Sequence, residues 1–318
     1  MQKVSGLYQL ETVSIITMGL VFAVVAGIIS VLLWYTGSSG GIWFAIGLSL
    51  LILFIQWWFG PALIKMMTKA KEVNDQEEPF LHEVIGKLAV QANLPKPKVY
   101  VVENPNPNAF AFGRTQGSSG IAVHRGLLNV LDQGEIEAVL AHEMGHIKHR
   151  DVTVMTIASA LPVMLYYIVL FLGSGNDRDR GAFGAIGAFI GAMFAQFLGT
   201  LLVLWLSRKR EFYADAYSAY ATGKPDNLMK ALVKITYAPR PQVTPQQENS
   251  SIRAFYVAEP EKFTSGAREI AIAIGKGDDE GLRKAIEQEK TKGGMEFFMT
   301  HPLTAKRLES LLRLKQAG

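Results

Sequence analysis

Ala141-His142-Glu143-Met144-Gly145-His146-Ile147-Lys148-His149 closes an apolar-patterned stretch, Gln133 to His149, that reads as one helix. Residues i and i+4 share a helix face, so the imidazoles of His142 and His146 can converge on a single ion. Glu143 lies about 100° round from His142, which suits a base acting on water rather than a ligand. Ile136, Ala138, Val139, Leu140 and Ala141 make the helix apolar enough to be buried, and excluding water strengthens a metal as a Lewis acid. The His-Glu-x-x-His pattern occurs once. From the chain's own His and Glu content, the chance expectation is about 0.007 occurrences.

A tetrahedral site needs a third protein ligand. The chain has no Cys, so that ligand is His, Asp or Glu. His149 lies seven residues from His142, about 10.5 Å along the axis, too far to share an ion at bonds of about 2.1 Å. It reads instead as a basic interfacial residue. Glu211, in Arg210-Glu211-Phe212-Tyr213-Ala214-Asp215, is the better candidate. It follows an apolar hairpin that leaves the His helix and returns. Asp215, one turn further on, can accept a hydrogen bond from the far nitrogen of a ligating His and fix its tautomer. The expected cofactor is one Zn2+ per chain, held by His142, His146 and Glu211.

Outward from this centre, four stretches are long and apolar enough to cross a bilayer, which takes about 20 residues. They run from Val13 to Tyr35, Gly41 to Gly60, about Val152 to Gly173, and about Ala182 to Leu206. The first is too long for a signal-peptide core and has no clear cleavage site after it, so it reads as a retained anchor. Apolar residues make up 49% of the 318 and charged residues 19%, in keeping with a membrane protein. The net charge of +4 comes from Lys and Arg beside these stretches, so no nucleic-acid partner is expected. Lys3, Lys65, Lys69, Lys71, Lys148, Arg150, Arg208, Lys209 and Arg210 all fall on one side, whereas Thr36 to Gly40 carries no charge. That asymmetry puts residues 61–151 and 207–318 in the cytoplasm.

The first of these soluble segments opens with a helix after Pro79, with Phe80, Leu81, Val84, Ile85, Leu88 and Ala92 at helical spacing. Lys98 to Val102, Ala109 to Phe112 and Gly120 to His124 read as strands, with a turn at Asn104 to Pro107. The fourth apolar helix is expected to continue to Thr222, where Gly223 and Pro225 stop it. Residues 239–251 read as a loop and 279–290 as a polar helix. The expected divisions are 1–60, an N-terminal transmembrane hairpin; 61–151, the first part of a catalytic domain; 152–206, a second hairpin; and 207–318, its second part.

Ala141 to His146, then Ser207-Arg208-x-x-Glu211-x-x-x-Asp215, then Thr300-His301-Pro302 resembles the HtpX family of membrane metalloproteases, relatives of the prenyl-protein CAAX proteases. The likeness covers nearly the whole chain. It implies a mainly α fold, with four transmembrane helices plus a cytoplasmic α+β zincin-like catalytic domain holding a small β-sheet. It implies His142, His146 and Glu211 as ligands of a gluzincin-type site and Glu143 as base. It also implies His301 as a transition-state histidine, Arg307 as its later companion, and Asn108, Ala109, Phe110 and Ala111 as the substrate-strand segment. The activity so implied is endopeptidase cleavage of misfolded or damaged membrane proteins under stress, at the inner membrane. Substrate polypeptide would add a strand along Ala109 to Phe112. The stretch from about Pro239 to Gly294 is longer and more polar than that family leads one to expect; it reads as a lid, a substrate selector or, as long polar loops most often are, an inert surface insertion.

Other classes fit less well. A transporter predicts ionisable groups inside its spans, and Val13–Tyr35, Gly41–Gly60 and Ala182–Leu206 have none. A non-catalytic zinc scaffold predicts loss of the base, and Glu143 is present. A CAAX-type protease usually has more than four spans.

Overall fold

A computed structural model describes residues 41–173, 182–237, 265–292 and 299–317. The expected first span and the loop at 239–251 lie outside the described residues. The chain divides into two compact units. The described part of one comprises residues 41–59 and most of 154–206; the other comprises residues 60–153 and the described residues beyond 206.

The first unit is helical. Helix α1 (Gly41–Thr68) covers the second apolar stretch but does not stop at Gly60. Pro61 removes one backbone donor without ending it, and no sequence signal strong enough to terminate a helix follows until Lys69. Lys69 takes a left-handed φ of 53°, and the Ala70 N–H closes the end on the Lys65 carbonyl at 3.2 Å. The third stretch, expected to be continuous, is two helices, α5 (Asp151–Ala158) and α6 (Ala160–Gly173). Pro162 cannot donate to the carbonyl of Ala158, which accounts for the interruption at Ser159. Helix α7 (Ala182–Thr222) is 41 residues long and carries the fourth stretch, ending before Gly223 at φ 64° as expected. A Cβ on Gly199 would lie 2.8 Å from the Cα of Pro162, so α6 and α7 pack in close contact there. Among the described residues, two stretches are long and apolar enough to cross a membrane, Asp151–Leu170 and Ile186–Thr222.

The second unit is built on a four-stranded mixed sheet in the order β1-β2-β4-β3, with β1 (Lys71–Glu72), β2 (Lys98–Val102), β3 (Ala109–Phe112) and β4 (Gly120–His124). Strands β2 and β4 are parallel, with Val99 opposite Ile121; β3 runs antiparallel to β4, with Ala111 opposite Ile121. The expected strands all form, and the two-residue β1 is added. Side chains alternate across the sheet. Val99 and Val101 join the main core, while Tyr100 and Val102 pack with Phe110, Phe112 and Ala122 on the other face.

The main core gathers α2 (Pro79–Ala92), α4 (Gln133–Lys148), α8 (Pro225–Tyr237), α9 (Ser265–Lys276), α10 (Asp279–Lys292) and α11 (Thr304–Ala317). The short α3 (Arg125–Val130) links β4 to α4. Leu81, Ile85 and Leu88 of α2 are fully buried, as their spacing predicts. Residues 265–292 overturn the reading of that region as a surface insertion. Ala267, Ile270, Ile274, Leu282, Ala285 and Ile286 recur at i, i+3 and i+4 and are core residues of a helical hairpin.

Candidate metal centre

Helix α4 starts on a capping box. Asp132 Oδ1 accepts from the Glu135 N–H at 2.9 Å, and Glu135 Oε2 accepts from the Asp132 N–H at 3.0 Å. The last turns of α4, including His142 and Glu143, are buried. Helix α7 approaches closely because residue 145 is glycine: a Cβ there would lie 3.1 Å from the Cα of Ala214 and 3.2 Å from the Cβ of Tyr217. Ser218 Oγ donates to the Ala138 carbonyl at 2.6 Å and ties the two helices further. Glu211 and Asp215, one turn apart on α7, thereby face His142 and His146.

The donor atoms converge. His142 Nε2 and His146 Nε2 are 3.1 Å apart, and Glu211 carboxylate oxygens lie 3.7 and 3.6 Å from them. A tetrahedral ion with bonds of about 2.0–2.1 Å spaces its ligands by roughly 3.4 Å. The observed separations bracket that value, so one imidazole-and-carboxylate-ligated divalent ion fits this donor set. His149 is not in it. The His149 ring packs against Tyr213 and Tyr217 at 6.3 and 6.1 Å between centroids. Burial first, then the charge of Arg210, pushes its imidazole pKa down. The residue is exposed at the end of α4.

Each converging histidine turns its other nitrogen to a carboxylate. His142 Nδ1 is 2.9 Å from Asp215 Oδ1, and Arg307 grips Asp215 through Nε at 2.8 Å and a terminal nitrogen at 2.6 Å. Arg307 also lies 3.3 Å from Glu211 Oε2. Burial opposes its charge, but Asp215, Glu211 and Glu143 outweigh that and raise its pKa. On the other side, His146 Nδ1 is 2.6 Å from Asp151 Oδ2, and Asp151 pairs with Arg210. Asp151 escaped the sequence reading. Its only signal is its position, just past a helix end, where acidic residues commonly serve other purposes.

Glu143 Oε2 accepts from the Ala111 N–H at 2.7 Å. Strand β3 ends the sheet, so this amide faces α4 and not another strand. His301 is buried with Nδ1 3.3 Å from Glu211 Oε2. Asn108 is buried at the start of β3, and its carbonyl accepts from the His124 N–H at 2.9 Å. His124 is a second residue the sequence reading passed over. Its Nδ1 lies 3.0 Å from the Asn106 carbonyl, and Gly126 N–H donates to the Asn104 carbonyl at 2.9 Å, so β4 and α3 hold the turn that delivers Asn108. Burial lowers the His124 pKa to about 4, against a partly compensating bond to Asn106.

Residues 75–315 match the family described as Peptidase family M48. A protein named Protease HtpX homolog from Methanothermobacter thermautotrophicus is 38% identical over 70% of this chain and 82% of its own length. One of the same name from Aeropyrum pernix is 37% identical over 93% of this chain and 97% of its own. A third, from Thermococcus sibiricus, is 31% identical over 94% and 95%. The crystal structure of S. mikatae Ste24p superposes with a TM-score of 0.56 at 19% identity, over 97% of this chain and 67% of that one, a likeness of fold.

Proposed function

This chain belongs to peptidase family M48, and from that premise we propose that it is a membrane-integrated zinc endopeptidase acting on misfolded or damaged membrane proteins at the cytoplasmic face of the cell membrane. The observation that carries the reading is the donor set of His142, His146 and Glu211, spaced for one ion and backed by carboxylates. Zinc in this set supplies a Lewis acid for the scissile carbonyl. Glu143 takes the proton of the attacking water and returns it to the leaving amine. The Ala111 N–H fixes the Glu143 carboxylate against β3, so the base and the substrate edge are held together. An extended polypeptide adds to that edge along Ala109, Phe110 and Ala111, with Asn108 anchoring its start. His301, beside Glu211, is the residue assigned to the developing oxyanion. Arg307 locks Asp215 and Glu211 in place. Membrane substrates accord with the relatives named HtpX and with the apolar run that precedes Glu211 on α7.

The test is digestion of casein and of a denatured membrane protein by the detergent-purified chain, with chelator and after adding zinc back. Cleavage should stop with chelator and return with zinc. Glu143→Gln should keep its zinc and lose about 10²–10⁴-fold in turnover, the range for a general base. Normal turnover by that variant would remove Glu143 from the mechanism.

A further inference from the structure

The two histidines of the site are supported alike but unequally. His142 leads to Asp215 and Arg307, whose side chains are 0%, 0% and 1% exposed. His146 leads to Asp151 and Arg210, whose side chains are 19%, 11% and 14% exposed. In both, Nδ1 lies against a carboxylate, at 2.9 Å for His142 and 2.6 Å for His146, and an arginine holds that carboxylate. An Nδ1–H donated in this way leaves Nε2 as the free lone pair, pointing at the other donors.

The placement of Asp151 follows from how the chain leaves α4. The His149 N–H bonds the Gly145 carbonyl and the Arg150 N–H bonds the Ile147 carbonyl. Arg150 then takes a left-handed φ of 55°, unusual for a residue with a Cβ. That single left-handed step turns the chain and brings Asp151, five residues after His146, back to the ring. Arg210 fixes the turn from the other side. It pairs with Asp151 and donates to the His149 carbonyl at 2.7 Å.

We propose that Asp151, held by Arg210, is the positioning carboxylate for His146, and that this less deeply buried arm controls how fast the metal leaves. The inference rests on the zinc site proposed above. In the buried His142 arm, Arg307 grips Asp215 by two bonds, and both side chains are closed to solvent. The His146 arm depends on an ion pair nearer the edge of the site, its side chains 11% and 14% exposed, so salt screens it more than the fully buried Asp215–Arg307 pair.

The test measures zinc release from the intact, zinc-loaded chain to a chromogenic chelator. Asp151→Asn and Arg210→Gln should each speed release about 10–100-fold, the usual effect of removing an outer carboxylate partner, and Arg210→Lys should restore part of the loss. Added salt should speed release from the parent and leave Asp151→Asn little changed. With Co2+ in place of zinc, the visible absorption of Asp151→Asn should shift relative to the parent. Melting of the metal-free protein should be nearly the same in all forms. If Asp151→Asn and Arg210→Gln release zinc at the parental rate with an unchanged cobalt spectrum, the proposal fails. It fails equally if their metal-free forms melt far below the parent, since the pair would then be holding the turn itself. A parent that binds no zinc, like His146→Ala, would overturn the site reading along with this one.

Discussion

At the scale of single residues, the proposed site divides into side chains that would hold an ion and side chains that aim them. Glu211 belongs to the first kind and His149, packed on two tyrosines, to neither. Glu211→Ala should therefore lose both zinc and activity, whereas His149→Ala should keep the metal and most of the activity, as elemental analysis and casein assays would show. His124 supports a prediction of another kind. Its folded pKa of about 4 lies below the 6.5 of an ordinary imidazole. The neutral ring is favoured in the folded state, so its contribution is fully present above pH 6.5. It is lost as pH falls from about 6.5 to about 4, by about 3 kcal/mol at the lower end. Melting temperature should drop over that window, and less so in His124→Asn, which has no ring to protonate.

At the scale of elements, the approach of α4 to α7 is set by Gly145. Alanine there would gain helix propensity worth up to about 1 kcal/mol. The gain is offset by a Cβ pressed 3.1 Å from the backbone of Ala214, and overpacking of this kind typically costs about 1–3 kcal/mol. Gly145→Ala should melt slightly lower than the parent and bind zinc more weakly, because α7 recedes and takes Glu211 with it; calorimetry and zinc titration would measure the two. This glycine stands in the motif at a position the pattern leaves open, so its role could not be read from the sequence. His142, Glu143 and His146 were legible from helical spacing, and Glu211 and Asp215 from their place just after an apolar hairpin that returns the chain to the His helix. Asp151 was not, because it depends on one left-handed residue after a helix end. The polar helix expected at 279–290 forms as α10, but α9 and the apolar stripe that buries both helices, Ile270, Ile274, Leu282 and Ile286, were not recognised.

At the scale of the whole molecule, the distribution of Lys and Arg predicts the topology. A reporter active only outside the cytoplasm should be silent when fused after residue 70 and active when fused at Ser174, with the reverse pattern overturning the orientation. The chain as a whole carries +4, but the carboxylates around the two histidines outnumber the arginines that pair with them. Glu143, Glu211, Asp151 and Asp215 bring four negative charges, and Arg210 and Arg307 bring two positive ones. Arg307 cancels the charge of Asp215 and Arg210 that of Asp151, so Glu143 and Glu211 are the carboxylates whose charge a bound cation would meet. The arginines that hold the aiming carboxylates in place would thereby leave the cation's charge to the two glutamates.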